Sequence, residues 1–447
     1  MNQSIPRLFA VVITLFGLLI VWTSRWSVFD ATALKNNSLN RLDFYASLKV
    51  KRGRILADNG EVLAKSVRTG GGTWGRTYPT GPLFSQPVGY FVARQEQKAG
   101  LEQYRSTQLE GTPTGISSVF GSFGGSRPVG DDVYTTLDPT AQKLAAQLLG
   151  GRNGAVVAIT PSTGAVKVMY ANPSYNDNHP FSGGSQYNRA TQGEYPPGST
   201  FKIVTTTAAL NSGKYTPNST IDGKSPLTVS GVPLENDGNT NYGPITLTKA
   251  LTESVNTVYA QVGEGVGIQT MAAYMKRFGF YSTPPLDYPN SQMLPSGERA
   301  GNKLLSPTSN QIDLGRMSIG QDKLTVTPLQ MAMVAAAVAN HGRLMRPHMT
   351  SRVVNQNGQV IQSFPPTLYH QVMKASTASE LTQMMTDVVE EGTGQAANLD
   401  GLKVAGKTGT AQVGGTGSAL DDPWFIGFAP VQDPKVAVAV VLESIPN

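Results

Sequence analysis

Tyr195-Pro196-Pro197-Gly198-Ser199-Thr200-Phe201-Lys202 runs directly into Ile203-Val204-Thr205-Thr206-Thr207-Ala208-Ala209-Leu210. Two prolines and a glycine stop whatever precedes them, and the uncharged run that follows predicts a buried helix. Ser199 and Lys202 then fall in its first turn, where i,i+3 spacing puts both side chains on one face. The helix start brings unpaired N–H groups and a partial positive charge to the serine. A hydroxyl beside an amine at such a place is a candidate activated nucleophile. Ser-x-x-Lys alone is a weak pattern, and a chain this long carries roughly one by chance. Its partners elsewhere decide its meaning.

Working outward, the residues before the serine predict a sheet. Ala155-Val156-Val157-Ala158-Ile159 and Ala165-Val166-Lys167-Val168-Met169-Tyr170 flank the turn Pro161-Ser162-Thr163-Gly164, which reads as a hairpin. Asp138 and Pro139 predict a helix start, and Gly150 its end. Near the C-terminus, Leu402 to Val413 reads as a strand carrying Lys407-Thr408-Gly409-Thr410, with two more strands at Trp424 to Ala429 and Val436 to Leu442. Five strands of mostly antiparallel sheet flanked by helices make an α+β or mixed α/β architecture, and α+β is the expected class. Thr327-Pro328 opens a further Met- and Ala-rich helix that closes at Gly342 and is read as core.

Composition removes several classes of chemistry. The chain has 447 residues, 39% of them apolar and 15% charged, which suits two or three globular domains. The net charge of +6 includes no Lys/Arg cluster, so no nucleic-acid partner is expected. There are no cysteines, which excludes disulfides and thiolate catalysis. The four histidines are scattered and no His-Glu-x-x-His occurs, so no metal and no cofactor are expected.

Leu8 to Trp22 carries no charge and is bracketed by Arg7 and Arg25, with Trp22 and Trp26 placed as an interfacial belt. It is read as an uncleaved membrane anchor. A cleaved signal peptide and a buried core helix are the competing readings; the small residues Ala31-Thr32-Ala33 lie well beyond the apolar run. The expected division is 1–25 as cytoplasmic tip and anchor, 26–135 as an N-terminal pedestal, and 136–447 as the catalytic domain. Within the pedestal, 31–47 reads as helix, 51–64 as a hairpin turning at Asp58-Asn59-Gly60, and 70–75 and 111–130 as glycine-rich loops.

Three patterns now stand in one order: Ser199-x-x-Lys202, Ser254-x-Asn256 and Lys407-Thr408-Gly409. This set resembles that of penicillin-binding proteins and serine β-lactamases. The likeness extends over Arg52-Gly53, Asp58-x-Gly60, Thr136-Leu137-Asp138, Gly320-Gln321, Thr327-Pro328-Leu329-Gln330 and Trp424-Phe425. Together these are similar to class B penicillin-binding proteins, above all the short actinobacterial PbpA-type members. Asn176-Asp177-Asn178 departs from the usual Asp-Pro-Asn of the family. There is no room for a glycosyltransferase domain between anchor and pedestal, and no repeat modules are expected after the catalytic domain.

The resemblance implies a D,D-transpeptidase of peptidoglycan stem peptides that β-lactams acylate. It implies Ser199 as nucleophile, Lys202 as neutral base, Ser254 as proton relay, Asn256 as substrate ligand and Lys407 as a retained cation. Thr408 and Thr410 would receive the substrate carboxylate, and the N–H groups of Ser199 and Thr410 would form the oxyanion hole; Gly409, beside them on the substrate-binding strand, would let another backbone or a substrate approach closely. A membrane glycosyltransferase of the shape-elongation-division-sporulation (SEDS) type is the implied partner. The implied location is the cell membrane, single-pass, with the N-terminus cytoplasmic. Neither Glu194 nor Glu253 lies in a deacylation motif, so slow deacylation is expected. A hydrolase on the same fold and a non-catalytic sensor or scaffold are the competing functions.

Overall fold

The computed structural model describes residues 4–30, 48–95, 97–111, 129–412 and 420–446. The helix expected over 31–47 lies outside them, as does nearly all of the 111–130 loop. Ser4–Ser24 is one apolar helix whose side chains stay exposed along its length. Its candidate span, Ile5–Ser27, has a mean hydropathy of 2.3 and none of it is buried against the rest of the chain. An apolar helix left uncovered in this way is compatible with a single-pass anchor.

The pedestal centres on a six-stranded sheet. Ile55–Leu56 pairs antiparallel with Val62–Gly70, which pairs with Thr73–Thr77; on its other side Ile55–Leu56 runs parallel to Asp132–Thr135. The turn at Asp58-Asn59-Gly60 connects the first two strands as the sequence predicts. The glycine-rich 70–75 stretch is mostly strand rather than loop, because only Gly71 and Gly72 are needed for the reversal. The outer two strands, Thr350–Val354 and Val360–Ser363, arrive from far along the chain. Pedestal and catalytic body therefore share a sheet.

Beneath this sheet, Glu102 is fully buried between Arg52, at 2.9 Å, and Arg76, at 2.5 Å. Burial alone raises a carboxyl pKa, but here Arg76 and Arg52 outweigh it and hold Glu102 below its ordinary value. That contribution to stability is present above the unfolded carboxyl value of 4.5 and is lost as pH falls through the lower folded value. Glu102→Gln leaves Arg76 without its charge partner and is expected to destabilise by about 3–5 kcal/mol. Denaturant unfolding of the soluble part checks this; a change under about 1 kcal/mol would mean the cluster is dispensable.

The catalytic body is built on a second, antiparallel sheet in the order Ala405–Gln412, Leu420–Ala429, Val436–Leu442, Gly154–Thr160, Ala165–Asn172, with the short Ile445–Pro446 strand added beside Leu420–Ala429. Strand alternation sorts its side chains by face. Ala155, Val157, Ile159, Ala437, Ala439 and Val441 face the main core. Val156, Ala158, Val436 and Val438 instead meet the Pro139–Leu149 helix, capped by Asp138 as predicted. The Pro328–Ala339 helix is buried at every position, so its Met and Ala stripe is core. The serine helix, Lys202–Asn211, is buried through Leu210.

Candidate active site

Ser199 lies one step outside the α-helix proper. Gly198–Phe201 forms a tight 3₁₀ turn, and the Lys202 N–H reaches back to the Ser199 carbonyl before the α-helix begins. Gly198 sits at φ +51°, a left-handed conformation that favours glycine. A Cβ there would lie 2.5 Å from the Thr410 carbonyl oxygen, and one at Gly320 would lie 2.0 Å from the Gly198 carbonyl oxygen. Glycines at these positions thus let the serine turn lie directly on the edge strand on one side and on Gly320 on the other. Trp424 reinforces the approach by donating to the Pro196 carbonyl at 3.1 Å and meeting Tyr195 edge to face.

Lys202 is fully buried at the head of the serine helix. Its Nζ lies 2.5 Å from the Ser254 carbonyl oxygen, 2.8 Å from Asn256 Oδ1 and 3.2 Å from Ser254 Oγ. Its hydrogen bonds thus go to the Ser254–Asn256 loop, and none joins it to Ser199 Oγ. Spacing alone places Ser199 and Lys202 on one face; the loop that closes over them takes up the amine, because a buried amine needs acceptors.

Ser254 itself owes its place to an unusual helix end. The Val255 N–H bonds the Ala250 carbonyl at 2.8 Å and the Ser254 N–H bonds the Leu251 carbonyl at 3.1 Å. These two bonds are those of a Schellman motif closing the Leu247–Thr252 helix, with Ser254 at the position that glycine usually fills. Its φ is +59°. A serine held there against conformational preference points to a need for its hydroxyl. That hydroxyl lies between both lysines: Lys407 Nζ donates to Ser254 Oγ at 3.0 Å and to the Thr408 carbonyl at 3.0 Å. Ser254→Gly and Ser254→Ala both remove it, but glycine tolerates the backbone. Both variants are expected to lose about 10²-fold or more in acylation rate, with the glycine variant about 1 kcal/mol more stable. Equal stabilities, measured by denaturant unfolding, would remove the backbone argument.

Lys407 is also fully buried, on the Ala405–Gln412 strand. Among the described residues no carboxylate forms an ion pair with Lys202 or Lys407. Burial, and secondly the neighbouring Lys407, pushes Lys202 well below its ordinary value, which favours the neutral amine that a general base needs. Burial lowers Lys407 to about 7. Of the two lysines Lys407 is thus the one that titrates nearer neutrality, and an incoming anion would favour its charged form.

Thr408 Oγ1 is 2.8 Å from Thr393 Oγ1, and Thr410 is exposed. Thr393 is absent from the sequence-based set; it follows the end of the Ala375–Glu390 helix, carries no motif, and is brought in by its N–H bond to the Thr252 carbonyl. Gly409 packs tightly, since a Cβ there would lie 2.9 Å from the Pro197 carbonyl oxygen. Glu194 is paired with Arg299 at 2.5 Å and Glu253 with Lys249 at 2.7 Å.

A serine turn laid on a sheet edge, with two uncompensated lysines joined through one serine hydroxyl, is the arrangement of a penicillin-binding protein, and the chain belongs to that family: residues 154–446 match the penicillin binding protein transpeptidase domain. Residues 52–133 match the penicillin binding protein A dimerisation domain. The chain is 33% identical to peptidoglycan D,D-transpeptidase PbpA of Mycolicibacterium smegmatis, over 99% of this chain and 94% of that one. Among solved structures it resembles penicillin-binding protein A of Mycobacterium tuberculosis in its ceftriaxone acyl-enzyme complex, with a TM-score of 0.79 and 30% identity, covering 90% of this chain and 94% of that one. The D,D-transpeptidase domain of a peptidoglycan glycosyltransferase from Eggerthella lenta gives a TM-score of 0.77 at 32% identity, covering 89% and 94%.

Proposed function

We propose that this protein is a membrane-anchored peptidoglycan D,D-transpeptidase with Ser199 as its nucleophile. The observation that carries the reading is the pair of buried lysines without a carboxylate partner, set beside a serine at a helix start. A neutral Lys202 can take the Ser199 hydroxyl proton as Oγ attacks the carbonyl of the penultimate D-alanine. The N–H groups of Ser199 and Thr410 receive the oxyanion. Ser254 passes a proton to the amine of the departing D-alanine, so the acyl C–N bond breaks as the acyl-serine ester forms. Thr408, Thr410 and Lys407 hold the terminal carboxylate, Gly409 lets the serine turn pack close against the strand that carries them, and Asn256 holds the donor peptide. An amine of a neighbouring stem peptide then attacks the ester, releasing Ser199 and closing the cross-link.

The domain division that fits this role is 1–25 as tip and anchor, 26–135 as pedestal and 136–447 as transpeptidase domain. Its cross-linking chemistry belongs outside the membrane, which sets the N-terminus in the cytoplasm. An uncovered apolar span beside a pedestal also suits contact with a SEDS-type membrane glycosyltransferase. β-Lactams enter as donor mimics and stop at the ester. With Glu194 and Glu253 both held in ion pairs, neither is placed to activate a deacylating water.

Mass spectrometry after penicillin treatment tests the reading. One penicillin-sized adduct on the peptide containing Ser199 is expected, persisting long after free drug is removed. Fast turnover of a chromogenic cephalosporin without a persistent adduct would instead make the protein a hydrolase.

A further inference from the structure

Away from the serine, a cavity of about 250 Å³ lies on the seam between pedestal and catalytic body. Four tyrosines, four glutamines and Ala99 line it, with no charged side chain. The tyrosine hydroxyls are tied back into the protein: Tyr175 to the Ser85 carbonyl, Tyr288 to the Gln86 carbonyl, Tyr187 to the Gln192 carbonyl and Tyr90 to Gln186 Oε1. What they offer the cavity is ring surface. The amides are different. Gln86 is 3% exposed; its Nε2 donates to the Ser185 carbonyl, while its Oε1 accepts no hydrogen bond among the described residues. Gln192 Oε1 accepts the Asn188 N–H, while its Nε2 makes no hydrogen bond among the described residues.

The wall thus combines aromatic faces with one free acceptor and one free donor, and it has no charge. Phosphate, carboxylate and ammonium ligands find no counter-charge there. A purely apolar ligand would strand the two amides without hydrogen bonds. The complementary ligand is neutral, has ring faces for the tyrosines and carries both an N–H or O–H and a carbonyl. The volume, below that of most drug-sized pockets, suits a single ring. We propose that this cavity is a subsite for one N-acetylhexosamine unit. Choosing a glycan-strand sugar as its natural occupant rests on the peptidoglycan reading of the active site. The chain leads from Gln192 into Pro196-Pro197-Gly198-Ser199, so the cavity wall and the nucleophile's turn belong to one continuous stretch.

The test titrates tri-N-acetylchitotriose into the full-length protein in detergent, followed by ligand-observed NMR. Saturable binding is expected, about tenfold or more weaker for cellotriose, which lacks the acetamido groups, and for Gln192→Leu. Tyr187→Ala, at an exposed ring, is expected to weaken it similarly. Unchanged penicillin acylation in each variant shows that the fold is intact; if Gln192→Leu fails that check, Tyr187→Ala decides. No binding by the wild type, or equal binding by wild type and an intact variant, overturns the subsite. Failure of penicillin to acylate the wild type counts against the transpeptidase reading alone, since sugar binding is read separately.

Discussion

Ser199→Ala is expected to abolish penicillin labelling, with acylation falling by about 10⁴-fold or more, while the protein stays folded. Removing a serine nucleophile removes the covalent path itself, and in other serine enzymes the loss reaches about 10⁶-fold. Among the described residues the Ser199 hydroxyl makes no hydrogen bond, its carbonyl still accepts the Lys202 N–H in the alanine variant, and its turn is held by Gly198, Gly320 and Trp424. Stability should therefore change by less than about 0.5 kcal/mol. The same variant should fail to support growth where the wild-type protein is required. Growth complementation by a variant that no longer binds penicillin would show a scaffold instead of an enzyme.

The second large effect is at Lys202. Lys202→Met keeps the volume of the side chain and removes the base, so acylation should fall by about 10²–10⁴-fold. Stability should move the other way, and its pH dependence gives the sign. In the folded state Lys202 is held well below its ordinary value of 10.5, by burial first and Lys407 second. Between those values the unfolded chain binds the extra proton, so wild-type stability rises with pH up to about 10.5. Lys202→Met loses that slope. It should be more stable than wild type at neutral pH, by a margin that shrinks towards pH 10. Melting curves from pH 6.5 to 10 check this; a margin that grows with pH would mean Lys202 is charged in the fold.

Lys407 adds a signature in the rates. At about 7 in the empty site, it should place a falling limb of kcat/KM near neutral pH. A bound carboxylate raises its pKa, so the falling limb of kcat should lie higher.

Much of the fold was legible because its signals are local. Asp138-Pro139 and Thr327-Pro328 each start a helix where cap chemistry predicts. The 155–170 hairpin and the three C-terminal strands follow from alternation and turn residues. The apolar run near the N-terminus forms the helix its composition predicts. Where local reading failed, composition misled it: glycines over 70–75 suggested loop, but cross-strand pairing carries the chain through them.

By itself, then, the sequence determined the order of the three motifs, the strands and helix starts that hold them, and the family to which they point. Each of these rests on residues within a few positions of one another, where capping, periodicity and turn chemistry act. Only the tertiary structure decided that Lys202 bonds the Ser254 loop rather than Ser199, that Ser254 joins both lysines from a left-handed helix end, and that Thr393 meets Thr408. It also decided that the 350–363 hairpin completes the pedestal sheet and that an uncharged cavity lies on the seam. These depend on contacts between residues tens to hundreds of positions apart. Such contacts are set by packing and burial, and they leave no periodic or capping signature along the chain.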